Sequence, residues 1–271
     1  EIGVQPDIIV CRAETEIPPE VKRKISLFCN VPPEHVIAAP DRPSVYEIPL
    51  LLKEEGLDVR ISESLGIWAR EANLSEWKRI CDTMRQATTV VTIAIVGKYV
   101  DLVESYKSLS EALLHGSIAN RCKVKLNFID AEELEKNDDP ASLLSGADAI
   151  LVPGGFGSRA TEGKIRAIRH ARENRIPFLG ICLGLQLALV EFARNVCGCK
   201  GANSTEFDAH TKFPVVDLLP GQREVQQKGA TMRLGAFSCE LVPDSLAARL
   251  YGTCQISERH RHRYEVNNAF L

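Results

Sequence analysis

Three clusters in this chain combine residue types and spacing suited to chemistry. The first is Gly180-Ile-Cys-Leu-Gly184, a cysteine with a glycine two residues away on either side, where an apolar run gives way to a helical pattern. A strand that stops at a sharp turn and restarts as a helix projects the turn residue above its sheet, and only small neighbours fit around the bend. A thiol at Cys182 then lies at the amino end of the next helix, where the dipole and free N–H groups favour thiolate. The N–H of Leu183 is placed to stabilise an oxyanion. This pattern suits covalent acyl transfer by a sulfur nucleophile. The second cluster is Pro153-Gly-Gly-Phe-Gly157, whose paired glycines let main-chain N–H groups approach a substrate closely. The third is "RHRHR" at 259–263. Strand alternation puts Arg259, Arg261 and Arg263 on one face and His260, His262 and Tyr264 on the other. Histidines at that spacing can bind a metal, but no third ligand is evident, and no metal is expected in this chain. The basic run is too short to favour nucleic acid. Taken singly, Cys182 also fits a small buried hydrophobe, and the glycines an ordinary turn.

The elements that must position these residues are legible from hydrophobic period. "VVTIAIVGKY", "KVKLNFID", "ADAILVPGG" and "IPFLGI" read as strands. "SYKSLSEALLHGSIA", "TEGKIRAIRHARENR" and "LGLQLALVEFARNV" read as the helices between and after them, and an acidic segment after Asp130 can be helical. Such alternation predicts a mostly parallel sheet covered by helices on both faces, with ligands at the carboxyl ends of its strands. Those ends are Gly97-Lys98-Tyr99, the 153–157 glycine turn and Gly180-Ile181-Cys182. Ahead of this lie a strand at "PDIIVCR", a helix at "PPEVKRKISLFCN" with Val21, Ile25 and Phe28 on one face, a strand at "HVIAAPD", and a helix at "SVYEIPLLLKEEGLD". A further helix is read in "ANLSEWKRICDTM", with Ser75 as its expected cap. The domain boundary is placed near position 86.

The 271 residues suffice for one large domain or two ordinary ones. Hydrophobic residues make up 45% and charged residues 25%, the profile of a globular protein. A net charge of −3 gives no global attraction to nucleic acid or an anionic membrane. No apolar run reaches the roughly 18 residues of a membrane span. Nine scattered cysteines do not read as a disulfide framework and point to a reducing cytoplasm. Cys197-Gly-Cys199 lacks a second pair at zinc spacing.

"LVPGGFG", "GICLGLQLALVEFAR", "ANSTEF", "GATMRLG" and "ERHRHRYEVNN" together resemble the CTP synthases, which make CTP from UTP, ATP and glutamine. "GVQPDIIVCR", "KISLFCNVP", "VIAAPDRPSVYEIPLLL" and "ANLSEW" are similar to the end of that family's synthetase domain. The resemblance spans essentially the whole chain and is closer to the bacterial form. It implies residues 1–85 as the carboxyl-terminal part of a P-loop-type synthetase domain, and 86–271 as a class I glutamine amidotransferase domain with a nucleophile elbow. It implies Cys182 as the glutaminase nucleophile. Gly155, Leu183, Gly184, Leu185 and Gln186 would hold glutamine and its oxyanion, and Glu206 and Arg263 its ammonium and carboxylate. That pairing suits a zwitterion: an anion for the ammonium, a fork of donors for the carboxylate. Lys24 would contact UTP or inhibiting CTP, with Phe28 nearby, while Arg12, Pro40, Asp41 and Arg42 would border the ATP adenine. Lys98 and Lys107 match lysines near the family's domain interface. Phe156, the following loop and Arg233 would respond to GTP, the activator. The resemblance further implies ATP with Mg2+ and no prosthetic group, a homotetramer, a cytoplasmic enzyme, and no nucleic-acid or membrane partner.

The chain is expected to be part of a longer polypeptide. The family's F-H-P-E segment, with its histidine base and glutamate, would fall beyond Leu271, and its phosphate loop and magnesium acids before Glu1. His260 and His262 do not match that segment and are not nominated as the base. Little glutaminase turnover is therefore expected from the chain alone. Two other readings stay open: a non-catalytic assembly or regulatory module, and a cysteine hydrolase unrelated to glutamine.

Overall fold

The alternation after Val90 becomes a four-stranded sheet, and what precedes it a separate unit. The computed structural model describes residues 3, 5–98, 103–155, 157–219, 222 and 235–270. Two compact units result, residues 1–89 with 115–123 and residues 90–114 with 124–271. All nine cysteines are free thiols, and no helix among the described residues is long and apolar enough to cross a membrane.

The first unit holds β1 (Ile9–Ala13), α1 (Pro19–Cys29), β2 (Val36–Pro40), α2 (Ile48–Glu54), α3 (Leu57–Leu65) and α4 (Ser75–Gln86). β1 and β2 pair in parallel, Ile9 opposite Val36 and Ala13 opposite Pro40. Buried Val36, Ile37 and Ala38 form the strand that reads as apolar on both faces. Two expectations are corrected. The face of α1 carrying Val21 and Phe28 is not packed: they are 41% and 85% exposed, and only Ser26 of the helix is buried. Periodicity marks a face but not whether anything covers it. α2 ends at Glu54 with Gly56 past its end, where a φ of 79° suits glycine, and α3 follows. Ser75 is the first residue of α4, not its cap; its N–H donates to Asn73 Oδ1 at 3.0 Å.

The second unit holds β3 (Val90–Gly97), the first part of α5 (Lys107–Ala119), β4 (Lys123–Asp130) from Val124 on, α6 (Ala131–Lys136), α7 (Pro140–Leu144), β5 (Ala149–Val152), α8 (Thr161–Asn174), β6 (Phe178–Gly180) and α9 (Leu183–Asn195). The sheet order is β4-β3-β5-β6, with β3–β5 and β5–β6 parallel. Ala94, Val96, Ile150, Val152, Ile165, Ile168, Leu183, Leu187 and Val190 belong to one buried core beneath the strand ends.

Beyond α9, β7 (Asn203–Ser204) and β8 (Pro214–Leu218) join β11 (Tyr264–Val266) in a three-stranded sheet, while β9 (Gly235–Glu240) and β10 (Gln255–His260) form a separate hairpin that brackets α10 (Leu246–Tyr251). This corrects the single-strand reading of "RHRHR". β10 ends at His260, paired with Gly235, and the chain enters a different sheet at Tyr264, opposite Leu218. Simple alternation therefore does not run through 261–263.

Candidate active site

The end of β6 and the start of α9 make the corner. Cys182 has φ 55° and ψ −107°, a conformation costly for any residue but glycine. The bend around it is pinned by Ile181 N–H to Val152 O at 3.0 Å and Gly184 N–H to Ile181 O at 2.9 Å. Gly180 and Gly184 are required by space: a Cβ at 180 would meet the Gly184 carbonyl carbon at 2.5 Å, and one at 184 would overlap the Val152 carbonyl oxygen. The thiol is half-buried.

The glycine turn after β5 lies against this corner. A Cβ at Gly154 would sit 3.4 Å from Cys182 Cβ and 3.8 Å from its Sγ. The turn is held from both sides: Lys98 Nζ donates to Gly157 O at 2.9 Å, and Gly157 N–H donates to Glu206 Oε1 at 3.2 Å. Glu206 thus stands at the turn beside the nucleophile. Leu183 and Gly184 are buried behind the thiol, and Leu185 is half-exposed. Buried Gln186 donates its amide to Tyr264 O at 2.7 Å, so its side chain anchors β11 to the first turn of α9. That anchor ties the strand after the "RHRHR" run to the helix that follows the thiol. Arg263 is half-buried, and its carbonyl accepts from Leu219 N–H at 3.1 Å. Phe156 and Arg233 lie outside the described residues.

Sequence reasoning set His262 aside, and it made no use of Glu265. His262 is hydrogen-bonded through Nδ1 to Glu265 Oε1 at 2.5 Å. The nearby Cys182 thiol, followed by Glu265, pushes its pKa up to about 10. Burial acts to raise Glu265, but its contacts with His262 and His260 outweigh it and hold the carboxyl below its ordinary value. A glutamate three residues after a histidine was the available signal. It is weak without the fold that brings the two side chains together. Glu265 is also the third potential metal ligand that the sequence lacked: donor atoms of His260, His262 and Glu265 lie within 4.8 Å of one another. The two imidazoles already engage the carboxylate, at 2.5 and 3.4 Å, so the cluster is satisfied by itself.

Lys164 was likewise missed, because a lysine in a helix normally reads as solvated. Its side chain is only 1% exposed, on α8, with Nζ 3.6 Å from where a Gly155 Cβ would lie. Burial, then the charge of Lys98, depress its pKa to about 8, against a smaller favourable pull from Cys182. The folded value lies below the unfolded one, so the charged form carries a penalty. That penalty is complete below about pH 8 and vanishes as pH rises past the ordinary lysine value. Lys164→Met is therefore expected to stabilise the protein at pH 7 by up to about 3 kcal/mol, the free-energy equivalent of bringing a lysine from its ordinary pKa down to about 8. The gain should fade above pH 10, and urea midpoints at both pH values check it. A less stable methionine variant at pH 7 would mean that the ammonium has an anionic partner.

The residues expected to meet nucleotide fall in the first unit. Lys24 and Phe28, four apart on α1, are both exposed. Pro40 is buried at the end of β2, Asp41 N–H donates to Ala13 O at 2.8 Å, and the Arg12 guanidinium lies 3.3 Å from Asp41. Arg42 pairs with Glu16 at 3.4 Å. The two strand ends thus gather Arg12, Pro40 and Asp41.

Known proteins place these two units in one family. The family "Glutamine amidotransferase class-I" matches residues 101–271, and "CTP synthase N-terminus" matches residues 1–67. The CTP synthases of Syntrophus aciditrophicus and Geobacter sulfurreducens are each 53% identical to the chain, over 270 and 271 residues, and that of Thermococcus kodakarensis is 54% identical over 270. Each alignment covers the whole chain but about half of the relative, so the chain spans about half the length of the curated relatives it matches. Among solved structures, the glutaminase domain of Trypanosoma brucei CTPS with bound acivicin is similar with a TM-score of 0.61 and 40% identity, covering 67% of this chain and 70% of that one. The chain belongs to the CTP synthase family, and its amidotransferase part to the class I glutamine amidotransferases.

Proposed function

We propose that this chain hydrolyses the side-chain amide of glutamine at Cys182, as the ammonia-producing half of a CTP synthase. The observation that carries the reading is Cys182 on its strained corner, with the glycine turn against it and Glu206 bonded to that turn. The thiolate attacks the carboxamide carbon, and main-chain N–H groups at the amino end of α9 and in the glycine turn hold the oxyanion. One such donor is typically worth about 3 kcal/mol. Glu206 takes the substrate ammonium and Arg263 its carboxylate, with Gly155 and residues 183–186 forming the wall between them. Ammonia leaves, and water cleaves the thioester to glutamate.

In the whole protein the ammonia aminates UTP activated by ATP, with residues 1–85 contributing to the synthetase side and 86–271 forming the amidotransferase. Lys24 and Phe28 then face the pyrimidine nucleotide, and Arg12, Pro40, Asp41 and Arg42 the adenine of ATP. GTP acts as activator, and the working assembly is a cytoplasmic homotetramer. Asp41 and Glu16 are engaged by arginines, a donor set that does not fit Mg2+, so no step here passes through the metal.

Acivicin tests the reading. One stoichiometric adduct on Cys182 is expected, prevented by glutamine, and Arg263→Ala should slow its formation more than about tenfold, as expected for loss of a charge-assisted fork. Labelling scattered over the other cysteines would favour a non-catalytic module. An unchanged rate in the Arg263 variant would favour a cysteine hydrolase unrelated to glutamine.

A further inference from the structure

A buried ammonium stands under the glycine turn, and the fold gains nothing from it. We propose that Lys164 is the counter-charge of the reaction at Cys182: from beneath Gly155 its ammonium stabilises the negative charge that forms on the substrate's carbonyl oxygen, touching neither that oxygen nor the thiol. The inference deepens the proposed function and rests on it, with Cys182 as nucleophile and Gly155 and Leu183 beside the oxyanion.

Lys164 breaks three local rules at once. It is only 1% exposed, whereas a lysine is almost never fully buried unless paired. Among the described residues no hydrogen bond or salt bridge engages its Nζ. It lies in the first turn of α8, its N–H reaching back to Ala160 O at 3.3 Å, where the positive end of the helix dipole opposes a cation. Lys98, whose Nζ holds Gly157 O, adds a second positive charge nearby. A residue that violates local rules without a structural gain marks a functional position.

Geometry says what that function is. A Cβ at Gly155 would meet Leu183 Cδ2 at 3.5 Å and Lys164 Nζ at 3.6 Å, while one at Gly154 would meet Cys182 Cβ at 3.4 Å and its Sγ at 3.8 Å. Thiol and ammonium thus lie against adjacent residues of one turn. A carbonyl oxygen bonded to the Gly155 N–H is no more than roughly 9 Å from the ammonium at ordinary bond lengths. The lysine's helix cannot swing away, because α8 closes onto α6 at the neighbouring Gly163, where a Cβ would overlap Ala131 O. The other charges around it are already engaged. Lys98 holds Gly157 O, Arg159 pairs with Glu132 of α6 at 2.9 Å, Glu162 with Arg194 of α9 at 2.9 Å, and Glu206 accepts from Gly157 N–H. The anion left for Lys164 is the one the chemistry makes. No proton moves to or from the lysine, which acts as a positioning residue through its field at the turn. It has no partner in the resting site and gains one as charge develops, and an interaction stronger in the transition state than before it raises the rate.

The test compares two reagents at Cys182 in the full chain, read by peptide mass spectrometry. Acivicin takes the thiol across its C=N bond before chloride leaves, so negative charge builds where the oxyanion would sit. Iodoacetamide reacts at a saturated carbon and builds no such charge. The ratio of the two labelling rates therefore cancels thiol ionisation. Lys164→Met should lower that ratio about 20-fold at pH 7, the attraction of two unit charges roughly 9 Å apart at an effective dielectric constant of about 20. Burial and Lys98 hold the lysine's pKa at about 8, so its charge is present below that value and lost above it. The gap between parent and variant should accordingly close above about pH 10, which a merely structural lysine would not produce. Lys164→Gln, neutral but polar, should give the same ratio as the methionine variant whatever its stability. Equal ratios in the parent and both variants at pH 7 overturn the proposal. Should acivicin leave Cys182 unlabelled, the glutamine reading falls, and 4-nitrophenyl acetate takes its place in the ratio, since it too forms an oxyanion and its leaving group needs no proton. A similar loss in the Lys164 variants with that ester keeps the counter-charge, and an unchanged ratio ends it.

Discussion

Gly184→Ala is expected to lower acivicin labelling of Cys182 about 100-fold, the usual effect of displacing a reacting group by about 1 Å. The same substitution should destabilise the second unit by about 3 kcal/mol, the upper end for overpacking. The added methyl group would overlap the Val152 carbonyl oxygen and lie 2.9 Å from its carbon and 3.1 Å from its Cβ. None of these atoms can withdraw. The Val152 oxygen accepts from Ile181 N–H at 3.0 Å, and Val152 is paired with Gly180 in the β5–β6 ladder. Relief must come from moving the start of α9, which carries Cys182. Gly116→Ala on α5 is the control. A Cβ there meets nothing within 4 Å, and helix propensity alone predicts a gain of about 1 kcal/mol or less. Thermal melts and labelling rates measured side by side decide the matter. A Gly184 variant that melts and labels like the parent would mean the corner is looser than its packing implies.

Arg172→Ala is expected to cost about 3–5 kcal/mol, the range for breaking a buried ion pair from one side. Glu191 on α9 is only 1% exposed, and Arg172 on α8 reaches both its oxygens, with Nε at 3.0 and 3.2 Å and Nη2 at 2.8 Å. Asn195 adds a bond at 3.1 Å. Removing the guanidinium leaves a carboxylate buried between two helices with only an amide for company. The pair is the far-end tie of the helix whose first residue follows Cys182, so its loss should loosen the corner as well. A second variant, Arg172→Ala with Glu191→Leu, separates charge from packing. It should recover most of the stability, because the desolvated anion is gone. Urea midpoints for the three proteins measure this; a double variant no better than the single one would place the cost in lost packing around Arg172.

The chemistry-bearing corner was readable because its demands are local. The glycine at 180 is required by overlap with Gly184 and Leu185 within six residues, although the glycine at 184 answers to Val152 on the neighbouring strand, and the strand and helix on either side announce themselves by period. Glu206 was reached only through family likeness. The fold gives its placement a physical form, a bond to Gly157 N–H. The histidine run was misread for a physical reason. Alternation assumes one continuous strand, and here the chain leaves one sheet at His260 and enters another at Tyr264.

The sequence by itself determined the strand–helix alternation, the strained cysteine between its glycines, and the family to which they belong. Each follows from period, from steric limits on a few neighbouring residues, or from motifs kept in order along the chain. Tertiary structure alone decided that His260 and His262 converge on Glu265, that Lys164 is sealed behind the glycine turn, and that Val21 and Phe28 of α1 stay open to solvent. These depend on which elements pack together. Packing is a through-space property, set by sheet order and by single ties such as Gln186 to Tyr264, and no local pattern of residues records it.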